Sequence, residues 1–339
     1  MHNMNQKIEN ICILRTSSLG DICHMLPFIN TLKKNYPNAK ITWIIGKNEA
    51  DFLGKINGIE FIIFDKSNTW KSYIGITNKL SRIKFDILFI MQVSLRANII
   101  SLLIKSKIKL GYDKKRSSDL HSLFSNKKIK NQQHSHVVDV FLSFLNILNI
   151  EKEDLYEKFP YLKKKYFLLS PCSRSSNRNW LVDRYIKSAD YICEKYGLQC
   201  VISSSSDKKE KDFVKKIANN MKVKPYNLSG KTDLHYLLSL IRHSELLISP
   251  DSGPVHMATC VDTSVIGLYG VTNIVRAGPY NSRNLCIDKY QEALKKYSGL
   301  KFEQAPWRYK NNHPDVMKLI SVTDVIEKID RYFFEENKI

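Results

Sequence analysis

The chain has 339 residues, 43% of them hydrophobic and 25% charged, which is enough for two ordinary domains with a full core in each. No apolar stretch has the length of a membrane span and the polar first nine residues carry no secretory signal, so we expect a cytosolic protein. The seven cysteines are odd in number and lack metal-ligand spacing, which argues against a disulfide framework.

The chain is strongly basic. It carries 53 lysines and arginines against 33 aspartates and glutamates, a formal charge of +20. Such an excess favours an anionic partner: nucleic acid, a phosphate-rich substrate or an anionic membrane surface. A lysine-rich, solvated surface with no partner explains the same composition.

The first half of the chain alternates short apolar runs with helical periodicity. The predicted strands cover residues 8–14, 40–45, 61–64 and 86–91, and the predicted helices include 21–34 and 137–150. Residues 105–130 hold nine basic side chains and little acid, which suggests a basic loop region.

A polar segment, 151–165, contains Pro160 and is predicted to be a linker. A second alternating pattern follows, with predicted strands at 166–169, 199–203, 246–249 and 265–269 and helices at 183–196, 208–220, 234–243 and 322–334. Strand–helix alternation of this kind is typical of an α/β protein with doubly wound, mostly parallel sheets.

Two small-residue turns follow predicted strands directly, at residues 16–21 and 249–256. Each places one carboxylate, Asp21 or Asp251, at the carboxyl end of a strand, where open parallel sheets bind ligands. Two such turns far apart in the chain predict two α/β domains facing each other across a cleft.

Four segments carry a resemblance to a known family. They are Arg15–Asp21 with His24 and Leu26-Pro27, the stretch 122–134, Arg178-Asn179-Trp180, and Asp251–His256. Together they resemble the heptosyltransferases of lipopolysaccharide core synthesis (glycosyltransferase family 9), most of all heptosyltransferase I, over nearly the whole chain.

The resemblance implies a GT-B fold: two Rossmann-like, doubly wound domains facing across a cleft. Residues 1–160 would bind the acceptor and residues 161–320 the nucleotide sugar. Residues 321–339 would form a helix that packs back on the N-terminal domain.

Asp21 is the predicted catalytic base. It follows a glycine-containing turn and begins a helix, whose dipole favours the ionised carboxylate. The resemblance assigns the base to this position, although a capping aspartate suits it too and the two roles are compatible. Ser18, Gly20 and His24 are expected to meet the acceptor, while a histidine such as His24 often simply packs.

The donor diphosphate needs positive charge and amide donors, and the sequence has no Asp-x-Asp metal motif. We therefore expect no metal and no cofactor, with Arg178 supplying the charge. The other expected diphosphate ligands are Ser173, the amides of Ser252, Gly253 and Val255, and His256. A serine-rich loop and a packing histidine are the plain alternatives.

The remaining contacts are expected around the donor sugar, the nucleoside and the acceptor. Asp251 would hold sugar hydroxyls or fix its turn. By resemblance the base would lie near Gly230-Lys231-Thr232, and Glu210 would bind the ribose unless it is only a solvated helix-start residue. Arg116, Lys127 and Lys128 would meet the carboxylates and phosphates of Kdo-lipid A at the inner membrane surface.

The predicted reaction is therefore an inverting transfer of heptose from ADP-heptose to the Kdo of Kdo-lipid A. The enzyme would be cytoplasmic and peripheral on the inner membrane. Three alternatives stay open: the same chemistry with another nucleotide sugar or glycan acceptor, epimerisation of a nucleotide sugar, and nucleic-acid binding. The last lacks a recognised motif, so we expect no nucleic-acid partner.

Overall fold

The structure is a computed structural model that describes residues 8–54, 56–113, 123–130, 135–150 and 166–336. The chain divides into two compact units, Met1–Leu155 and Tyr156–Ile339. Their boundary and the predicted linker at 151–165 lie outside the described residues.

The first unit is a parallel sheet with helices on its faces. Its strands are β1 (Asn10–Leu14), β2 (Lys40–Gly46), β3 (Ile59–Phe64), β4 (Lys84–Ile90), β5 (Lys105–Gly111) and β6 (Lys127–Lys128). Its helices are α1 (Leu19–Asn35), α2 (Lys47–Leu53), α3 (Thr69–Leu80), α4 (Leu95–Leu102) and α5 (Val137–Ser143), the last continuing as a 3₁₀ helix over Phe144–Leu148.

The strand order of this sheet is β3-β2-β1-β4-β5-β6, with every pair parallel. β1 pairs with β2 from Asn10↔Lys40 to Leu14↔Ile44, and with β4 on its other side. From β1 the chain continues to β2 and β3 on one side of β1. It then crosses to β4 on the other side of β1 and continues outward to β5 and β6. The crevice between the ends of β1 and β4 is the switch point at which such sheets bind ligands.

The second unit repeats the plan. Its strands are β7 (Tyr166–Leu169), β8 (Gln199–Ile202), β9 (Tyr226–Asn227), β10 (Leu247–Pro250), β11 (Val265–Tyr269) and β12 (Ile287–Asp288). Its helices are α6 (Val182–Tyr196), α7 (Lys208–Asn220), α8 (Leu234–His243), α9 (Gly253–Cys260), α10 (Ile274–Ala277), α11 (Tyr290–Ala293) and α12 (Val322–Glu336).

The second sheet runs β12-β11-β10-β7-β8-β9, which is the same topology as the first when counted from its own first strand. Its switch point lies between β7 and β10, which are direct neighbours. The central strands are buried on both faces, so they are continuous apolar runs in sequence, as parallel sheets require. The predicted α/β class with two doubly wound sheets is confirmed.

One prediction about the first unit was wrong. Part of the basic region 105–130 is a strand, β5, and not a loop. Its lysines alternate with Ser106, Ile108 and Leu110, and side chains two apart share a face of a strand. The high lysine content concealed this period-two pattern.

The C-terminal helix α12 buries Val325, Ile329 and Tyr332 in the core of the second unit. The Tyr332 hydroxyl donates to the carbonyl of Glu245 at 2.8 Å. Its apolar face covers α6 and the end of the second sheet. Packing of this helix on the first unit stays a prediction. No helix within the described ranges combines the length and apolarity needed to cross a bilayer.

Candidate active site

The switch point of the first unit is held together by one glutamine. Thr16 follows β1 and Gln92 follows β4. The Thr16 amide donates to Gln92 Oε1 at 2.7 Å, and the Thr16 hydroxyl donates to the same oxygen at 3.1 Å. This bridge fixes the turn that leads into α1.

Asp21 stands in the first turn of α1, at this switch point. Its Oδ2 accepts hydrogen bonds from the Ser18 amide at 3.1 Å and from the Ser18 hydroxyl at 3.0 Å. The same oxygen lies 2.6 Å from Nη2 of Arg15, and the Asp21 side chain remains 30% exposed. Asp21 is therefore a capping residue whose carboxylate can still be reached from solvent, and its base role stays a prediction that this geometry permits.

Arg15 is the partner that the sequence analysis quoted without a role. Its guanidinium is buried, donates to the Met91 carbonyl, and lies 4.9 Å over the ring of Phe141. Burial alone would lower the pKa of Arg15, but the charge of Asp21 and the Tyr112 hydroxyl raise it above the ordinary value. A permanent, immobile cation thus favours the ionised form of Asp21.

The predicted acceptor residues divide into two groups. Ser18 is exposed beside Asp21, whereas Gly20 is buried in the first turn of α1. His24 is 2% exposed and packs edge-on against His136, with ring centroids 5.2 Å apart, so its ring faces inward.

Lys127 and Lys128 are exposed on β6, at the sheet edge. That edge is two strands from β4, about 10 Å at the usual strand spacing, and the switch point lies on the far side of β4. Arg116 lies outside the described residues.

In the second unit, the switch point brings together the predicted diphosphate residues. Ser173 follows β7 and Asp251 follows β10. The Ser173 hydroxyl donates to the Asp251 carbonyl at 2.9 Å, and Arg178 Nη1 donates to the same carbonyl at 3.2 Å. Trp180 is buried and donates to the Ile320 carbonyl at 3.0 Å, which anchors the loop that carries Arg178.

The carboxylate of Asp251 is the centre of this cluster. Its Oδ2 lies 2.9 Å from Arg178 Nη1 and accepts a 2.8 Å hydrogen bond from the Thr272 hydroxyl. His256 Nε2 lies 3.7 Å from Oδ1. Burial alone would raise the pKa of Asp251, but the His256 ring, the Arg178 charge and the Thr272 hydroxyl together lower it from 3.8 to about 2. These contacts make Asp251 a residue that fixes its turn.

The helix that follows, α9, has features that suit an anion at its N-terminus. Ser252 is the N-cap of α9, and Gly253 and Pro254 begin the helix. The first amides of a helix have no acceptor within it, and the helix dipole adds positive potential there. Arg178 Nε is buried and has no hydrogen-bond partner among the described residues. An unused buried donor beside a helix N-terminus suits a phosphate group.

Two further basic side chains near this turn were missed by the sequence analysis. Lys310 pairs through its backbone with Thr272, the residue that donates to Asp251. Desolvation, together with the charges of Arg178 and Arg276, lowers the pKa of Lys310. Arg276 belongs to α10, and its guanidinium lies 5.2 Å over the ring of Trp307. Arg178 and Lys310 therefore lie close to the turn, and Arg276 lies close enough to Lys310 to affect its pKa, which suits a ligand carrying more than one negative charge.

The predicted nucleoside residues lie at the carboxyl ends of β8 and β9. Glu210 Oε2 accepts from the Ser205 hydroxyl at 2.7 Å and from the Ser205 amide at 3.0 Å. Gly230 adopts a φ of +70° and donates its amide to the Ser204 carbonyl at 3.0 Å. Glu210 and Gly230 thus hold the same loop, 204–206.

Lys231 and Thr232 continue from Gly230 toward α8, and the Lys231 amide donates to the Leu228 carbonyl at 3.0 Å. Two hydroxyls in these segments, of Ser203 and Ser229, are buried without a hydrogen-bond partner among the described residues. Unused hydroxyls at strand ends are available for a polar ligand. Within the part of the chain that the structure describes, no group of three or more His, Cys, Asp or Glu side chains is arranged to hold a metal ion.

Comparison with known proteins gives a family. The model of glycosyltransferase family 9 (heptosyltransferase) matches residues 74–304. The lipopolysaccharide core heptosyltransferase OpsX of Haemophilus influenzae is 35% identical over 95% of this chain and 96% of its own length. Lipopolysaccharide heptosyltransferase 1 of Escherichia coli K12 is 20% identical over 84% of this chain and 95% of its own length. Identity to the Haemophilus protein thus exceeds identity to heptosyltransferase 1.

Solved structures agree on the fold. A family 9 glycosyltransferase from Veillonella parvula superposes with a TM-score of 0.78 at 20% identity, covering 98% of this chain and 99% of that one. The E. coli heptosyltransferase WaaC, solved with ADP, gives 0.74 at 17% identity, covering 95% and 99%. These neighbours confirm the predicted GT-B fold class. The chain belongs to glycosyltransferase family 9, the heptosyltransferase family, and is a glycosyltransferase.

Proposed function

We propose that this enzyme transfers heptose from ADP-heptose to the Kdo of Kdo-lipid A, with inversion at the anomeric carbon. The observation that carries the proposal is the turn from β10 to α9. There a helix N-terminus, Arg178 and the neighbouring Arg276 and Lys310 are suited to a diphosphate. The relative WaaC was solved with ADP and with ADP-2-deoxy-2-fluoro heptose, which supports an ADP-linked heptose as the donor.

In the proposed reaction the second unit holds the donor. Arg178, with its unused Nε, and the first amides of α9 bind the diphosphate oxygens. Asp251 orients Arg178 and does not contact phosphate itself. Negative charge develops on the diphosphate as the sugar–phosphate bond breaks, and fixed donors stabilise that charge without reorganisation. Glu210 and the hydroxyls of Ser203 and Ser229 are the proposed nucleoside contacts.

The first unit supplies the base. The acceptor hydroxyl attacks the anomeric carbon from the face opposite the diphosphate, and a carbon–oxygen bond forms as the bond to phosphate breaks. Asp21 accepts the hydroxyl proton, and ADP leaves with the bonding electron pair. Arg15 and Ser18 hold Oδ2 and thereby fix the direction of the carboxylate that is the proposed proton acceptor.

We propose that no metal takes part, because the cations around Asp251 supply the charge that a divalent ion would otherwise bring. Transfer by the purified protein should then be unchanged by an excess of EDTA. Loss of transfer with EDTA and its recovery with magnesium would contradict this part of the proposal.

The donor is tested by offering the purified enzyme ADP-heptose, ADP-glucose and UDP-linked sugars with the same acceptor. Product mass identifies the transferred sugar, and we expect transfer from ADP-heptose above all. Transfer from a hexose donor alone would defeat the heptose assignment and favour the alternative with another sugar. Turnover of the donor with no acceptor would favour epimerisation or hydrolysis.

The acceptor is tested separately, because relatives of this chain include lipopolysaccharide heptosyltransferase 3 of E. coli K12, 24% identical over 94% of this chain. We expect Kdo-lipid A to accept heptose. Activity only on a core that already carries heptose would support heptose transfer but contradict Kdo-lipid A as the acceptor. The basic side chains Lys127 and Lys128, exposed at the sheet edge, support an anionic acceptor.

A further inference from the structure

Helix α4 presents an apolar face to solvent. Its exposed side chains are Leu95 at 61%, Ile99 at 38% and Leu102 at 63% relative exposure. Their spacing of four and three residues places them on one stripe of the helix. The buried side of α4 includes the polar residues Asn98 and Ser101. Ala97 and Ile100 are buried on the same side, so α4 has apolar residues on both its buried and its exposed sides, whereas a surface helix usually turns a polar side outward.

Helix α3 lies beside α4 and exposes Trp70 at 75% and Ile74 at 49%, one helical turn apart. Both helices pack on the same face of the first sheet, since both contribute to one core cluster. Phe64 lies between them: its ring contacts that of Tyr73 on α3 at 5.5 Å, and Arg96 on α4 lies 5.6 Å over it. We call Trp70, Ile74, Leu95, Ile99 and Leu102 the α3–α4 face.

The segment that carries this face is highly basic. Residues 66–109 contain nine lysines and arginines and a single carboxylate, Asp86. Asp86 Oδ1 is already paired with Lys107 Nζ at 2.8 Å. Lys71 follows Trp70 on α3, and Lys105 lies three residues after the end of α4; both side chains are exposed. Lys66 is likewise paired, with Glu49 Oε1 at 3.6 Å, so two of the nine basic side chains have a carboxylate partner and the segment keeps a net positive charge.

We propose that the α3–α4 face docks the enzyme on an anionic lipid bilayer, with the apolar side chains entering the headgroup region. Apolar side chains flanked by lysines and arginines are the chemistry that binds such a surface. A second copy of this chain is a poorer partner, because a symmetric dimer through this face would oppose two basic surfaces. The inference deepens the proposed function, on which it rests for a lipid-borne acceptor.

The position of the face fits this role. Leu95 begins α4 three residues after Gln92, the side chain that fixes Thr16 at the Asp21 switch point. Gln92 Nε2 also donates to the hydroxyl of Ser94, the N-cap of α4. A bilayer against α4 would thus lie next to the end of the sheet that presents Asp21. The exposed apolar side chains of this face are on α3 and α4, outside the basic region 105–130 for which lipid contact is predicted from the sequence.

Vesicle sedimentation tests the proposal with the full chain. The triple variant Leu95→Gln/Ile99→Gln/Leu102→Gln is compared with wild type and with Val223→Gln, a control in the second unit whose exposure of 37% matches that of Ile99. On phosphatidylcholine vesicles containing phosphatidylglycerol, we expect the triple variant to bind about tenfold more weakly or worse, since three apolar side chains no longer insert. Val223→Gln should bind like wild type, and all should bind poorly without phosphatidylglycerol.

Trp70 gives an independent readout that does not depend on the triple variant. Trp43 and Trp180 are buried, and the fourth tryptophan, Trp307, is half-buried in the second unit, so comparison with Trp70→Phe isolates the signal of Trp70. We expect a blue shift with anionic vesicles that is absent in Trp70→Phe. Wild-type protein that ignores anionic vesicles, a triple variant that binds them normally, or a blue shift retained in Trp70→Phe would each overturn the proposal. Self-association abolished by the triple variant, with no vesicle binding, would make the face a dimer interface instead.

An activity assay separates this inference from the proposed function. With a deacylated, soluble Kdo acceptor, the triple variant should transfer heptose as fast as wild type. With acceptor embedded in anionic vesicles, it should be slower by about the factor lost in binding. Vesicle binding without heptose transfer would support the docking role of the α3–α4 face and contradict the proposed donor and acceptor. Equal loss on both acceptors would show a catalytic defect and overturn the docking role.

Discussion

Arg15 and Ser18 hold one oxygen of Asp21, so the direction in which the carboxylate points is fixed before any acceptor arrives. Such preorganisation is what a general base needs, because proton transfer is sensitive to small displacements. Arg15 is itself held by the Met91 carbonyl and the Phe141 ring. The geometry of the proposed base thus depends on Arg15 and Met91, which directly follow β1 and β4, and on Phe141 of α5.

Replacing Asp21 by Asn tests the base. The amide keeps the shape of the side chain but cannot accept the proton, so kcat should fall by about a hundredfold or more. ADP affinity should be unchanged, because the proposed ADP contacts belong to the second unit. Steady-state kinetics and ADP titration calorimetry measure the two effects.

Ser18→Ala serves as a control, because it removes a supporting hydrogen bond and keeps the carboxylate. Its loss of kcat should be smaller than that of Asp21→Asn. Near-normal turnover in Asp21→Asn would remove Asp21 from the base role.

Arg178 is ion-paired with Asp251, whereas Lys310 interacts with it only through its charge, so their replacement should weaken ADP binding to different extents. Arg178→Ala should raise the Kd for ADP about ten- to a hundredfold, the value of a charge-assisted hydrogen bond. Arg178→Lys keeps the charge and should lose less. Lys310→Ala removes a more distant charge and should have a smaller, salt-dependent effect. Calorimetry with ADP measures all three. Unchanged affinity in Arg178→Ala would refute the diphosphate contact.

The turn between β10 and α9 shows how one element prepares a binding site. The Asp251 carboxylate pairs with Arg178 and Thr272, so the turn is ordered before any anion binds. These contacts stabilise the ionised carboxylate, which is why the pKa of Asp251 is low. Because its folded pKa of about 2 lies below the ordinary value of 3.8, the group stabilises the fold above pH 3.8 and loses that contribution as the pH falls toward 2.

Asp251→Asn gives the corresponding stability prediction. Near neutral pH the variant should unfold at lower urea, with a difference in unfolding free energy that includes about 2 kcal/mol from the pKa shift. That difference should shrink as the pH is lowered below about 4, since wild type alone loses the contribution of the ionised carboxylate. Urea unfolding of both proteins at several pH values measures the effect. A difference that stays constant down to the lowest usable pH would contradict the role given to the Asp251 charge.

The elements that sequence periodicity predicted best are those buried on one or both sides. The strands at 166–169 and 265–269 and the helices at 208–220 and 234–243 have the predicted bounds. β5 was missed because lysines occupy its exposed positions, and the two-residue strands β6, β9 and β12 are too short to show a period. Local sequence patterns therefore predict the alternation of long strands and helices, whereas the short edge strands depend on hydrogen bonding to neighbouring strands.

The two units share one strand order, so their switch points were predictable once each carboxylate was placed at the end of a strand. The contacts from distant segments were not. Thr272 and Lys310 come close to Asp251 from parts of the chain that follow later strands. Nothing in the local sequence distinguishes Lys310, or the neighbouring Arg276, from the other lysines and arginines, of which the chain has 53 in all. Arg15 was quoted in the motif, yet its pairing with Asp21 required coordinates. Arg116 stays a prediction.

The account depends on a single displacement in which Asp21 removes the acceptor proton while the second unit holds ADP. The anomeric configuration of the transferred sugar, read by nuclear magnetic resonance of the product made from ADP-heptose, tests this most directly. One displacement with one base predicts a configuration opposite to that of the donor. Retention of the donor configuration would require a different mechanism, such as two successive displacements, and would contradict the role proposed for Asp21.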